Sequence, residues 1–301
     1  MNLIDLFAGA GGTSTGATQA GANVVWAANH WQTAVNTHAA NHPATQHVCQ
    51  DLHLADWTRI PAHDWVLASP SCKGHARARG KERPHHDAER ATAWAFLDCV
   101  ETTLPIGFTV ENVPEMRAWA LYPSWRDALQ RLGYRLTEQV LCASGFGAPQ
   151  ERERLFVVGH RRKEIRLRSP GLTAPAASSF LDLNAGRWSA VDKPGRAAKT
   201  LEKIAASRAR LGSTFLLPFY GATKVGRSLA RPLGTVTCKD RYALIHGDRM
   251  RMLTVDEYRA AMTFPAGYVL TGTREEQVRQ LGNAVPPLMA EGVMRQVMEA
   301  A

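Results

Sequence analysis

Residues 1–12 read Met1-Asn2-Leu3-Ile4-Asp5-Leu6-Phe7-Ala8-Gly9-Ala10-Gly11-Gly12, a short apolar run that breaks into glycines. Leu3 to Phe7 has the length and character of a buried strand, and Thr13 to Gly21 continues with helical spacing. Glycines between a strand and a helix let the backbone approach a ligand closely and adopt angles that side chains forbid. The helix start behind them offers unpaired N–H groups. By itself such a turn fits NAD, another nucleotide, or nothing more than a tight turn.

The same alternation continues outward. Asn23 to Ala27, Trp65 to Ala68, Phe108 to Val110 and Phe156 to Gly159 are further strand candidates. Ala88 to Thr103 and Ser124 to Gly133 are helical candidates between them. Strands alternating with helices predict an α/β domain built on a mainly parallel, doubly wound, Rossmann-like sheet. From about Arg161 to Arg249 the composition turns to Gly, Pro, Arg and Ser, with short apolar runs such as Phe215-Leu216-Leu217. Helical spacing returns in Thr254 to Met262 and Pro287 to Met298. The expected division is a large domain of residues 1–160 plus 251–301 and a small, loop-rich domain of residues 161–250.

With 301 residues, 45% of them hydrophobic, the chain can bury a substantial core. No run approaches the roughly eighteen apolar residues of a membrane span, and the N-terminus lacks the pattern of a signal peptide. Five scattered cysteines, Cys49, Cys72, Cys99, Cys142 and Cys238, form no CxxC pair. That argues against a disulfide framework and a zinc site and suits a reducing, cytoplasmic setting. The net charge of +9 fits either a polyanion partner or a generally basic proteome. Its distribution favours the first, because basic residues crowd from Lys73 to Arg90 and from Arg152 to Arg168, beside the motifs below.

Four later stretches stand at strand ends or helix starts. Ala68-Ser69-Pro70-Ser71-Cys72 closes a strand with a cysteine, followed by a glycine and basic residues that suit a lowered thiol pKa. Glu111-Asn112-Val113-Pro114 closes the next strand, and Gln150-Glu151-Arg152-Glu153-Arg154 opens another. Gly282-Asn283-Ala284-Val285-Pro286-Pro287 opens the last helix. Taken singly, these are a core thiol, a structural carboxylate, a surface ion pair and a helix cap. Taken together and in this order, with the glycine turn, they resemble the DNA cytosine-C5 methyltransferase family. That family shows DLF-x-G-x-GG, Pro-Pro-Cys-Gln, ENV, Gln-x-Arg-x-Arg and GN-x-VPP. The resemblance spans nearly the whole chain and is least specific between Arg161 and Ser228.

The resemblance implies methyl transfer from S-adenosylmethionine to carbon 5 of a cytosine flipped out of double-stranded DNA, of the restriction–modification kind, by a monomer without metal. Cys72 would add to carbon 6, which breaks the ring's aromaticity and makes carbon 5 nucleophilic. Glu111 would protonate N3, which calls for a raised pKa. Arg152 and Arg154 would hold O2 and orient Glu111. Phe7, Gly9, Gly11, His30, Trp31, Asp51, Asn283 and Val285 would line the cofactor site. Asp51 also reads as a helix cap. Lys73, His75, Arg77 and Arg79 would form a loop closing over DNA, and Thr235, Lys239 and Arg241 would face it from the small domain. Lys224 and Arg227 are further candidates there.

Three departures stand out. His30 occupies the position of the family's ribose-binding Glu, which implies weaker binding of the ordinary cofactor or use of a derivative. Ser71 and Lys73 replace Pro and Gln around the cysteine. The same chemistry on tRNA, a silent DNA-binding partner and a nicotinamide-dependent oxidoreductase are the alternatives. The first lacks that branch's extra cysteine-bearing segment, the second leaves the four polar residues unexplained, and the third leaves the four later motifs without a purpose.

Overall fold

The computed structural model describes residues 1–72, 74–75, 85–220 and 224–301. The chain runs β1 (Asn2–Leu6), α1 (Gly12–Gln19), β2 (Asn23–Asn29), α2 (Gln32–Asn41), β3 (Gln46–Cys49), β4 (Trp65–Ala68), α3 (His85–Thr103), β5 (Gly107–Asn112), α4 (Tyr122–Arg131), β6 (Arg135–Cys142) and β7 (Glu153–His160). These seven strands form one sheet in the order β3-β2-β1-β4-β5-β7-β6. Pairing is parallel from β3 through β5, while β7 is antiparallel to both β5 and β6. The α/β expectation holds, and the antiparallel β6–β7 pair at one edge is its elaboration.

Strand order reverses beside β1: the chain moves one way to β2 and β3, then returns to place β4 on the other side. A doubly wound sheet opens its ligand crevice at such a switch point, outside the carboxyl ends of the strands. The glycine turn leaves β1 there, and the Cys72 loop leaves neighbouring β4. Strand β4 is buried along its length. Helix α3 turns Ala93, Phe96 and Val100 into the core at helical spacing.

A second, antiparallel sheet follows in the order β8-β11-β10-β9, from β8 (Ser189–Ala190), β9 (Thr214–Pro218), β10 (Tyr242–His246) and β11 (Arg249–Met252). Alternation sorts its faces. Phe215 and Leu217 pack with Ile204 of α5 (Ala198–Leu211), whereas Leu216 and Leu244 pack with Tyr258, Met262, Val278 and Leu281. The last four lie on or beside α6 (Val255–Ala261) and α7 (Arg274–Asn283), each begun by a Thr/Glu capping box. The final helix α8 (Pro287–Ala300) returns to α1 and the large sheet. Ile165 and Leu167 also join that core. A division by packing, offered as a proposal, therefore keeps 161–172 with the large sheet and moves α6 and α7 to the small one.

Beneath the glycine turn lies a buried polar chain. Ser14 donates to Asp5 Oδ2 at 2.6 Å and lies 3.0 Å from His38 Nε2, and His38 Nδ1 lies 2.7 Å from His47 Nε2. It stitches β1, α1, α2 and β3 together. Burial raises the Asp5 carboxyl to about 7, against smaller opposing effects of Ser14. Burial also holds His38 and His47 below the ordinary histidine range and His42 at about 4.

A carboxyl whose folded pKa is raised contributes stability that is full below its unfolded pKa and lost as pH rises through the folded value. The histidines act oppositely, losing their contribution as pH falls below the ordinary histidine value. Asp5→Asn should therefore become more stable relative to wild type as pH rises from about 4 to about 8, at roughly 1.4 kcal/mol per unit over the steep part. Urea unfolding at a series of pH values reads the difference, and a flat difference curve would contradict it.

Candidate active site

Phe7 and Gly9 both have left-handed backbones, with φ 61° and φ 55°. For Phe7 this is a strained geometry, of the kind found at ligand sites. Phe7, Ala8, Gly9, Ala10, Gly12 and Thr13 wall one side of a cavity. Gly11 faces away from it. A Cβ at Gly11 would stand 2.7 Å from the Tyr268 hydroxyl and 3.1 Å from His42 Nε2. A Cβ at Gly12 would stand 2.1 Å from the Val285 carbonyl oxygen. Thus Gly11 gives room to the polar cluster behind the turn, and Gly12 lets the C-terminal segment lie against the start of α1.

The end of β2 brings Asn29, His30 and Trp31 to the same cavity. Asn29 Oδ1 accepts from the Trp31 N–H at 2.9 Å, fixing the turn. The Arg279 guanidinium, from α7, lies 4.5 Å over the centre of the Trp31 ring, within cation–π range. Asn283 and Val285 complete this side. Asp51 does not border the cavity. It is exposed and caps the short 3₁₀ turn Leu52–Leu54, accepting from the His53 N–H at 3.0 Å, so its helix-cap reading describes its contacts.

Ser69, Pro70, Ser71 and Cys72 enter from β4. Asn112 donates to the Pro70 carbonyl at 3.1 Å, joining the cysteine loop to the end of β5. Glu111 on β5 pairs across the sheet with Phe156 of β7, and Arg154 lies two residues before Phe156, on the same face. That register brings Arg154 Nε to 2.8 Å from Glu111 Oε1, both side chains largely buried. Burial pushes the Glu111 carboxyl up, while Arg154 and then Arg152 pull it down less strongly. Burial likewise raises the Cys72 thiol, against a smaller lowering by Arg154. The basic surroundings do not offset desolvation, so the resting thiol is protonated at neutral pH, contrary to the lowered value expected.

Arg152 behaves differently from Arg154. It is fully buried, and its two terminal nitrogens donate to the carbonyls of Val236, Gly282 and Ala284, each at 2.8 Å. This guanidinium is occupied with backbone, whereas Arg154 borders the cavity. Gln150 helps: its amide donates to the Ala261 carbonyl at 3.2 Å, and its oxygen accepts from the Val236 N–H at 2.9 Å.

Of the residues expected to face DNA, Lys73, Arg77 and Arg79 lie outside the described residues. His75 is buried with its ring 5.6 Å from that of Trp119, so it is a core contact here. The Thr235 hydroxyl donates to the Glu151 carbonyl at 2.8 Å, a brace between the stretch before β10 and the stretch before β7. Lys239 is exposed, and Arg241 is half-buried with a donation to the Phe219 carbonyl at 3.2 Å.

Arg279 and Glu89 also border the cavity, and no motif pointed to either. Arg279 had a usable signal: it stands four residues before Asn283, hence on the same helix face.

A glycine turn and a cysteine loop at one switch point, with a buried Glu–Arg pair on the next strands β5 and β7, define an α/β enzyme whose ligand crevice adjoins a cysteine. The profile of the C-5 cytosine-specific DNA methylase family matches residues 1–193 and 196–299. The type II methyltransferase M1.HphI of Haemophilus parahaemolyticus is 30% identical, covering 99% of this chain and 87% of its own length. The type II methyltransferase M.HgiDI of Herpetosiphon aurantiacus is 31% identical over 96% of this chain and 92% of its own. Among solved structures, a putative DNA modification methyltransferase encoded within an Escherichia coli prophage superposes with a TM-score of 0.74 at 22% identity, covering 99% of each chain. The chain belongs to the C-5 cytosine-specific DNA methylase family.

Two outcomes follow from this geometry. Arg152→Met leaves three carbonyls without their donor, and should cost roughly 3 kcal/mol or more. Calorimetry should then show melting several degrees lower, and an unchanged melting temperature would contradict the bracing role. Alkylation of Cys72, followed by peptide mapping, should keep accelerating with pH beyond the range where an ordinary thiol levels off, near 8.5. A plateau at the ordinary position would contradict the burial effect.

Proposed function

We propose that the chain methylates carbon 5 of a cytosine flipped out of duplex DNA, through a covalent bond between Cys72 Sγ and carbon 6. The observation that carries the proposal is that Cys72, Glu111, Arg154 and the glycine turn border one cavity at the switch point. A base stacked in a duplex cannot reach such a cavity, so it must rotate out.

The residues present fit S-adenosylmethionine. Phe7 and Trp31 offer aromatic faces, Gly9 and the start of α1 leave backbone space, and Asn283 and Val285 border the same cavity. When bound, that cofactor supplies an electrophilic methyl group. His30 brings no carboxylate to the ribose end, so this chain would hold the ribose hydroxyls through neutral hydrogen bonds and through the Trp31–Arg279 stack.

The chain's own groups act on the base. Cys72 gives up its proton to water and adds to carbon 6 as thiolate. Glu111, whose carboxyl burial pushes up, donates to N3 as charge gathers on the ring. Arg154 holds Glu111 in place and offers fixed positive charge near O2. Arg152 is turned to the carbonyls of Val236, Gly282 and Ala284 and so holds the C-terminal wall of the cavity in place.

Duplex DNA is favoured over RNA by the relatives named as type II methyltransferases. The test is incubation with tritiated S-adenosylmethionine and either duplex DNA or tRNA, followed by digestion and nucleoside chromatography. Label should appear in 5-methyl-deoxycytidine and be abolished by Cys72→Ala. Glu111→Gln should slow it on the order of 100-fold or more. Label in tRNA alone, or DNA labelling that survives loss of Cys72, would overturn the reading.

A further inference from the structure

The loop that carries the thiol is tied to α3 by groups the mechanism above does not use. Ser71 stands where the resemblance would have a proline, so it has both an N–H and a hydroxyl. The N–H donates to Thr92 Oγ1 at 3.0 Å, and the hydroxyl donates to the Glu89 carboxylate. Thr92 in turn donates to the Glu89 carbonyl at 2.8 Å. Ser71, Cys72, Glu89 and Thr92 border the cavity that Glu111 and Arg154 also border. The wall thus carries two carboxylates. Glu111 is committed to Arg154 and to N3; Glu89 is held beside the nucleophile.

One proton remains to be placed. Methyl transfer from the cofactor side leaves carbon 5 carrying both a methyl group and a hydrogen. That hydrogen is turned toward the side from which the thiol added. The group that removes it must stand on the thiol's side of the ring. Glu89 meets that condition by its tether to the residue immediately before Cys72. Cys238 is near enough to influence the Cys72 thiol, but its own thiol donates to Asn283 Oδ1 at 2.8 Å.

We propose that Glu89 accepts the carbon-5 proton and that Ser71 is its positioning residue, an inference that rests on the C5-methyltransferase reading above. The proton passes to the Glu89 carboxylate. The C5–H electron pair becomes the C5–C6 double bond, and the C6–S pair leaves on Cys72 Sγ as thiolate. The N3 proton returns to Glu111, and Glu89 later releases its proton to water.

The experiment compares wild type, Glu89→Gln, Ser71→Ala, Ser71→Thr and Cys238→Ser on two duplexes, one with ordinary cytosine and one with 5-fluorocytosine at the target. Fluorine in place of hydrogen removes the step assigned to Glu89 and leaves the earlier ones intact. On cytosine DNA, Glu89→Gln should turn over about 100-fold more slowly. It should also accumulate a denaturant-stable adduct whose mass includes the methyl group. On 5-fluorocytosine DNA it should trap the duplex as well as wild type does, which also shows that it folds. Ser71→Ala should show a weaker form of the same pattern, restored by Ser71→Thr. Normal turnover by Glu89→Gln, loss of trapping on the fluorinated duplex, or accumulation in Cys238→Ser instead would overturn the assignment. Failure of wild type to trap the fluorinated duplex would strike the underlying reading, and this inference with it.

Discussion

The cavity depends on one buried guanidinium. Its walls come from residues 7–13, 29–31, 69–72, 111, 154 and 279–285, segments separated by most of the chain. Arg152 holds the Gly282 and Ala284 carbonyls of the last of these segments and ties them to the Val236 carbonyl in the stretch before β10. A buried cation without partners is costly, but here the terminal nitrogens meet acceptors that would themselves be costly if left bare. Among the described residues the Nε finds no acceptor, so the offset comes from the terminal nitrogens and exists only in the assembled fold. Closure of the pocket and solvation of Arg152 are therefore one equilibrium.

The same dryness sets the chemistry. Removing water raises both carboxyl and thiol, because each is harder to ionise away from solvent. For Glu111 this suits the proposed role, since protonating N3 requires an acid. For Cys72 it is a cost, since the thiolate is the nucleophile. Arg154 lies against both and tempers both shifts, but burial is the larger influence on each. Burial thus favours the neutral form of Glu111 and leaves the Cys72 thiol dormant at rest. A dormant thiol is also protected from stray oxidation and alkylation.

Much of this was legible in the residues. The Gly-rich turn, the thiol at the end of β4 and the Glu at the end of β5 are local features with local causes, so their strand-end positions emerged correctly. The small sheet was not legible, because β9 reads as a bare apolar run and β8 has two residues. Helix α7 hid behind its polarity; its first turn is charged and capped, and its buried stripe is narrow. The two arginines of the Gln-x-Arg-x-Arg segment could not be told apart by type. What separates them is position: Arg152 precedes β7, where the chain is not yet extended, and Arg154 lies within it. Asp51 shows the converse, a residue whose local hydrogen bond defined its contacts where a motif suggested a ligand.

The central claim is that one sulfur among five becomes bonded to the base. Protease digestion of the complex formed with a 5-fluorocytosine duplex and S-adenosylmethionine, followed by mass spectrometry of the cross-linked peptide, reads it directly. The account predicts a nucleotide attached at Cys72 and at no other cysteine. Attachment at Cys238, or a complex that falls apart on denaturation with every thiol recovered, would contradict it.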